Sequence, residues 1–147
     1  MKRDPGDIVD RLSIAFLKCD KIKESDNYEE KTMFTEYFKE LVTDHVEIKA
    51  WDAVLQYMKL INGLIWELEW ELRKTALDKS VLEVNKKELR EIGYSTLMIR
   101  RFNTLRVQFK NLINLITDEG VQNVDRGRRN AIKAESTTTE DKPDKDV

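Results

Sequence analysis

Apolar residues recur at every third or fourth position over most of the first 120 residues, a spacing typical of amphipathic helices. The first apolar row consists of Ile8, Leu12, Ala15, Cys19 and Ile22. This row predicts a helix that ends near Lys23. Asp4 stands before it as a suitable N-cap, and Pro5 suits the first helical position, where its missing N–H group costs nothing.

The segment 28–76 contains no proline and only one glycine, yet as a single helix it would extend about 75 Å. We expect a break near Thr43 and Asp44, because Asp44 and Glu47 have the spacing of a capping box. The second helix then has an apolar face formed by Phe34, Phe38, Leu41 and Val42. The third has a heptad seam formed by Trp51, Val54 or Leu55, Met58, Ile61, Ile65, Leu68 and Leu72.

A fourth helix follows a second capping-box pattern, Asn85 with Glu88. Its seam is formed by Leu89, Ile92, Ile99, Phe102, Leu105, Phe109, Leu112 and Ile116. Gly93 lies inside this helix, where glycine costs about 1 kcal/mol relative to alanine, and therefore favours a kink or a close helix contact. Gly120 is a natural end for the helix.

These four apolar patterns predict an all-α fold, a helical bundle with two long antiparallel helices and shorter N-terminal helices. We place the bundle domain at residues 1–120 and a flexible, charged C-terminal tail at 121–147. Residues 136–146 contain no apolar side chain, so they cannot offset the entropy cost of ordering and are expected to be disordered. A bundle of this size would bury its remaining apolar faces by self-association, which favours a homo-oligomer.

Composition excludes several classes of function. The single Cys and single His exclude a disulfide framework and the usual zinc sites, so we expect no metal and no cofactor. With 26 Lys and Arg against 28 Asp and Glu, the chain is not globally basic, so we expect no nucleic-acid partner. No apolar run approaches the roughly 18 residues of a membrane span, and the segment Met1 to Gly6 lacks the apolar stretch of a signal peptide. We therefore expect a cytoplasmic protein without a membrane partner.

Polar side chains line the edges of both long seams. On the third helix the row is Asn62, Trp66, Glu69 and Arg73, and on the fourth it is Asn103, Arg106, Lys110 and Asn114. One interpretation is that these are boundary residues, with Glu69 and Arg73 forming an ordinary i,i+4 ion pair. The other is a binding site between the helices, where Arg106 and Lys110 neutralise a phosphate or carboxylate and Trp66 stacks on a planar ring. Arg11 of the first helix is a further candidate, unless it pairs with Asp7.

The same residues fall in three blocks with a recognisable resemblance. The blocks are Asp7-Ile8-Val9-Asp10-Arg11-Leu12-Ser13-Ile14, Asn62-x3-Trp66-x2-Glu69-x3-Arg73, and Arg101-x-Asn103-x2-Arg106-x3-Lys110-x2-Ile113-Asn114. They resemble the blocks DIVDRLTIL, NxxLWxxEDxIR and YRxNDxRxxLKxxIN of an uncharacterised family of small all-helical bacterial proteins, often encoded near surface-sugar or glycosyltransferase genes. The resemblance implies that one set of polar positions acts together: Asp10, Arg11, Asn62, Trp66, Glu69, Arg73, Arg101, Asn103, Arg106, Lys110 and Asn114.

The chain departs from the family pattern at two positions. The family's Glu-Asp pair is Glu69-Trp70 here, and its Asn-Asp pair is Asn103-Thr104. Each departure removes a carboxylate. A metal or base role that those carboxylates would have in relatives is therefore not expected here, and the remaining site is more favourable to an anion.

Our first functional hypothesis is a non-enzymatic protein that captures a small anionic ligand, such as a nucleotide, a cyclic nucleotide or a nucleotide-sugar. One version is a phage sponge that sequesters a nucleotide immune signal and so counters host defence. The expected ligand-binding residues are Arg11, Asn62, Trp66, Glu69, Arg73, Arg101, Asn103, Arg106, Lys110 and Asn114. On this hypothesis Arg106→Ala abolishes stabilisation by the ligand and leaves the fold intact.

Two alternatives remain open. The first is a structural or adaptor helical protein that acts through oligomerisation and protein partners. The second is an enzyme that acts on a nucleotide-sugar. The enzyme signals are weak, because no nucleophile and base are paired in the sequence. Cys19 lies on an apolar row and is expected to be a buried thiol. His45, beside the predicted cap, is expected to be exposed.

Overall fold

Four α-helices make up the described part of the chain. The structure is a computed structural model that describes residues 3–78 and 83–117. The helices are α1 (Pro5–Lys21), α2 (Ser25–Asp44), α3 (Trp51–Asp78) and α4 (Lys86–Thr117). No strand occurs within these ranges, so the predicted all-α class is confirmed. Gly120 and the predicted tail, 121–147, lie outside the described residues.

The two long helices, α3 with 28 residues and α4 with 32, run antiparallel as predicted. Near the start of α3, the ring of Tyr57 packs edge-on against that of Phe109, near the end of α4, with 4.8 Å between ring centroids. Towards the other end, Leu72 of α3 and Ile92 of α4 line one groove. Across the described residues, no helix is both long and apolar enough to cross a membrane.

The shortest helix, α1, is the only one that packs extensively against each of the other three. It runs parallel to α3, because Asp10 bonds to Asn62 and Lys21, at its end, bonds to Glu67. Successive helices therefore run in opposite directions, up, down, up and down. The main core consists of Ile8, Val9, Leu12, Phe34, Leu41, Trp51, Leu55, Met58 and Ile113.

The Asn85 and Glu88 capping box that starts α4 is confirmed. The Glu88 backbone N–H donates to Asn85 Oδ1 at 2.9 Å, and the Asn85 N–H donates to Glu88 Oε1 at 3.2 Å. The other predicted box, Asp44 with Glu47, is wrong. Asp44 is the last residue of α2, residues 45–47 form a turn, and α3 begins only at Trp51.

The turn between α2 and α3 also overturns the expectation for His45, which is buried. Its backbone carbonyl accepts a hydrogen bond of 3.1 Å from Nε1 of the buried Trp51. The turn therefore folds back against the core. Cys19 is buried as expected, whereas Ile22 of the same row is exposed because α1 ends at Lys21 rather than Lys23.

The predicted seam is correct for α3 and partly wrong for α4. On α3 the buried seam residues are Trp51, Leu55, Met58, Ile61 and Ile65. On α4, Leu112 and Ile116 are 49% and 44% exposed, while Ile113, Asn114 and Thr117 are buried. The reason is that the end of α4 packs against α1 as well as α3. The buried side of the helix is therefore centred on Ile113, Asn114 and Thr117 instead of the predicted seam.

Gly6 marks the closest approach of α1 and α4. Its backbone N–H donates to Asn114 Oδ1 at 2.8 Å. A Cβ atom at Gly6 would collide with the backbone carbonyl of Lys110. At Gly93, by contrast, no atom of the described residues lies within 4 Å of such a Cβ, so the close contact predicted there does not form within them.

The two glycines therefore provide a matched test of this packing. Gly6→Ala is expected to lower the free energy of unfolding by about 1–3 kcal/mol, because a helix backbone must shift to admit the methyl group. Gly93→Ala is expected to raise it by about 1 kcal/mol, the difference in helix propensity at an open position. Urea unfolding followed by circular dichroism measures both. A Gly6→Ala variant as stable as the parent would contradict the close approach.

Candidate functional site

Asp10 of α1 is the centre of a buried polar network. Its side chain is 2% exposed, and Arg106 of α4 donates to both carboxylate oxygens, from Nε to Oδ1 and from Nη2 to Oδ2, each at 2.8 Å. Asn62 of α3 donates from Nδ2 to the same Oδ1 at 3.0 Å and to Ser13 Oγ at 2.7 Å. Arg106 Nη1 also donates to Asn103 Oδ1 at 3.4 Å. One carboxylate thus joins three helices.

The other cations at this end of α1 also face carboxylates. Lys110 Nζ lies 3.7 Å from Asp7 Oδ1 and 3.7 Å from Asp10 Oδ2. Arg11 Nε lies 3.4 Å from Asp7 Oδ1, the pairing that the sequence left open. A recess of about 270 Å³ opens here, lined by Asp7, Asp10, Arg11, Ile14, Lys18, Glu30, Arg106 and Lys110. Its four cations are thus largely compensated by three carboxylates.

Within the network, Asp10 and Arg106 each stabilise the charged form of the other. Burial raises the pKa of Asp10, but the hydrogen bonds from Arg106 and Asn62 and the charges of Arg106 and Lys110 outweigh it, so the pKa lies below its ordinary value. The hydrogen bond to Asp10 in turn raises the pKa of Arg106. The pair is therefore ionised at neutral pH. Nearby, burial and the charge of Asp7 raise the pKa of Asp4.

A second, larger site lies at the other end of α1, where that helix meets α3. This aromatic cleft has a volume of about 390 Å³ and is lined by Lys21, Ile22, Trp66, Glu67, Trp70 and Arg73. Trp66 is half-buried, whereas Trp70 is 58% exposed. Lys21 Nζ lies 3.0 Å from Glu67 Oε2. Among the described side chains, Arg73 has no ion-pair partner, so the predicted pair with Glu69 does not form.

The predicted ligand-binding set is thus divided between places in the fold. Trp66 and Arg73 line the aromatic cleft. Glu69 is half-buried on α3, close enough for its charge to raise the pKa of Arg106 further, and Arg101 is exposed on α4. The remaining members lie in or around the first half of α1. They are Arg11, Asn62, Asn103, Arg106, Lys110 and Asn114.

Sequence reasoning missed four cleft residues, Lys21, Ile22, Glu67 and Trp70, and two residues of the network. Lys21 and Ile22 reach the cleft only because α1 lies parallel to α3, a register that no sequence pattern indicates. Ser13 completes the network, and Gly6 allows α4 to approach. A detectable signal existed for Ser13, since a hydroxyl three residues after Asp10 lies on the same helical face.

No family model, curated protein or solved structure matches this chain. The resemblance carried by the three sequence blocks stays a prediction. The site is therefore interpreted from its own geometry.

The lowered pKa of Asp10 predicts a specific loss of stability in acid. Its contribution is complete above the ordinary carboxyl pKa of 3.8 and is lost as pH falls through the lower pKa of the folded state. In Asp10→Asn this contribution is missing, so stability should fall less steeply towards acid pH. Urea unfolding of both proteins, from neutral to acid pH, measures the two slopes. Parallel curves would contradict the assignment.

Removing one partner of the buried pair should cost more than removing both. Arg106→Met leaves the Asp10 carboxylate buried without its main partner, which typically costs about 3–5 kcal/mol. The double variant Asp10→Leu with Arg106→Met should recover much of that loss, because no buried charge remains. A double-mutant cycle on unfolding free energies tests this, and additive losses would refute it. Arg106→Ala removes the same partner and, contrary to the expectation from sequence, should also destabilise the fold.

Proposed function

We propose that the protein binds a small planar anion of the nucleotide class in the aromatic cleft between α1 and α3. The observation that carries this proposal is Trp70, whose ring stays 58% exposed beside Trp66 in a cleft that also holds Arg73. Clefts that combine aromatic walls with a few polar groups are the usual form of small-molecule sites. A ligand that covers an exposed tryptophan in such a cleft removes a large apolar surface from water, which favours binding.

The aromatic walls favour a planar ring in the ligand. Trp66 and Trp70 are four residues apart on α3, so both indoles project from the same side of the helix into the cleft. Stacking of a nucleobase on an aromatic side chain contributes about 1–3 kcal/mol per base. A nucleobase therefore suits these walls better than a sugar or an inorganic ion.

The cations of the cleft favour a phosphate on that ring. Arg73 is exposed and has no ion-pair partner among the described side chains, so its guanidinium is available for bidentate contact. Lys21 adds a second positive charge, shared with Glu67 at 3.0 Å. Glu67 supplies an acceptor for a ribose hydroxyl or a base N–H group. Its ion pair with Lys21 favours capture of the ligand over a general-base role.

The cleft is a better candidate than the recess beside Asp10. Arg106 and Lys110, the expected phosphate ligands, are held by Asp10 and Asp7. An incoming anion would compete with carboxylates that are already in place. We therefore keep the anionic ligand expected from the sequence but place its binding site in the aromatic cleft, where the end of α1 meets Trp66 of α3. Sequestration of a nucleotide signal, as by a phage sponge, is the physiological form that this proposal takes.

The cleft predicts that mononucleotides and cyclic dinucleotides raise the melting temperature and quench tryptophan fluorescence. Arg73→Ala should weaken the affinity for a bound nucleotide about tenfold, the effect of one charge-assisted contact. Arg100→Ala is the matched control, an exposed arginine on α4 outside the cleft, and should bind like the parent. Equal losses in both variants would overturn the assignment.

The aromatic contribution has its own pair of variants. Trp70→Ala should weaken binding by about 5- to 150-fold through lost stacking. Tyr94→Ala removes a similarly exposed aromatic ring from α4, outside the cleft, and should have no effect. Nucleotide recovered after release should be chromatographically unchanged. Altered nucleotide would favour the enzyme alternative, and no response to any nucleotide would refute the proposal.

A further inference from the structure

The α3–α4 pair leaves an apolar side uncovered in the described part of the chain. We call it the outer face and define it by Tyr57, Leu60 and Leu64 of α3 with Leu112 and Ile116 of α4. These five side chains are 39% to 58% exposed. Helix α1 packs on a different side of the pair, where α3 presents Asn62 and α4 presents Arg106. The outer face is thus separate from the Asp10 network.

The outer face is continuous along the two helices. The contact of Tyr57 with Phe109, 4.8 Å between ring centroids, joins the two rows end to end, at the middle of the strip. From there the α3 row continues through Leu60 and Leu64, and the α4 row continues in the opposite direction through Leu112 and Ile116. The spacings of three and four residues are those of a helix-packing seam. At 1.5 Å per residue, the strip is about 20 Å long.

We propose that a second copy of this chain covers the outer face in a two-fold symmetric contact. In such a contact each patch meets its own copy, so a border of one charge sign would repel itself. This border carries both signs. Glu71 lies seven residues after Leu64 on α3, and Arg101 lies eleven residues before Leu112 on α4, so both flank the outer face and both are exposed.

The extent of the outer face fits a dimer contact. Five large side chains that are about half exposed form an apolar patch of several hundred Å², a size at which the largest patch of a protein is often functional. Two such patches pressed together with their charged borders amount to about 1,000 Å² in total, the lower bound for a specific interface. The chain's own segment 118–147 is a poor cover, because its only aliphatic residues larger than alanine are Val121, Val124, Ile132 and Val147.

The test is the mass of the full-length chain in solution, measured by light scattering after size-exclusion chromatography over a range of concentrations. The parent should be a dimer, and Leu112→Glu should shift it to a monomer by placing a charge in the contact. Val107→Glu is the matched control. Val107 is also exposed on α4, but it is five residues from Leu112, about 140° around the helix. It should leave the dimer unchanged.

Circular dichroism of each variant shows whether the monomer remains folded, and Leu60→Glu repeats the test from α3 if Leu112→Glu unfolds. A folded monomer from either glutamate variant, with a dimeric Val107→Glu control, supports the proposal. A parent that is monomeric at every concentration overturns it. So does an assembly that survives both outer-face variants, or one that Val107→Glu dissociates equally.

Discussion

The arrangement of the bundle depends on the buried ion pair between Asp10 and Arg106. A carboxylate taken out of water is costly unless its oxygens are satisfied, and here both are, by one guanidinium at 2.8 Å and by Asn62. Hydrogen bonds restrict direction and distance more narrowly than apolar contacts do. The pair therefore sets both the register of α1 along α4 and, through Asn62, its register along α3. The net contribution of such a pair to stability is small, because the cost of burying both charges largely offsets their attraction.

The same pair determines where a ligand has room. At the start of α1, Gly6 brings α4 close, and the carboxylates of Asp7 and Asp10 occupy the nearby cations. At the end of α1, the helix stops at Lys21, while α3 continues for eleven residues beyond Glu67, the partner of Lys21. The aromatic cleft opens where α1 ends. Charge compensation at the start of α1 thus leaves the cleft at its other end as the site with a cation available to a ligand.

The two proposals use different sides of α3, and each follows from what the short helix α1 leaves uncovered. Helix α1 has 17 residues and can cover only one side of the pair formed by α3 and α4, which have 28 and 32. Residues that the short helix does not reach remain exposed, including Trp70 beside its end and Leu60 on the outer face. A ligand suits the cleft at Trp70 because cations lie beside it. A second copy of the chain suits the outer face because that face is apolar and extended.

The sequence by itself determined the features that depend on neighbours along the chain. Helix periodicity fixes the α3 seam and the burial of Cys19, and the Asn85 and Glu88 box needs only residues three apart, so all were predictable. Tertiary structure alone decided the burial of His45, the exposure of Leu112 and the division of the polar set. Those outcomes depend on helix rotation and register. Contacts between residues far apart in the chain set both, such as Gly6 with Asn114 and Asp10 with Arg106, and local pattern carries no information about them.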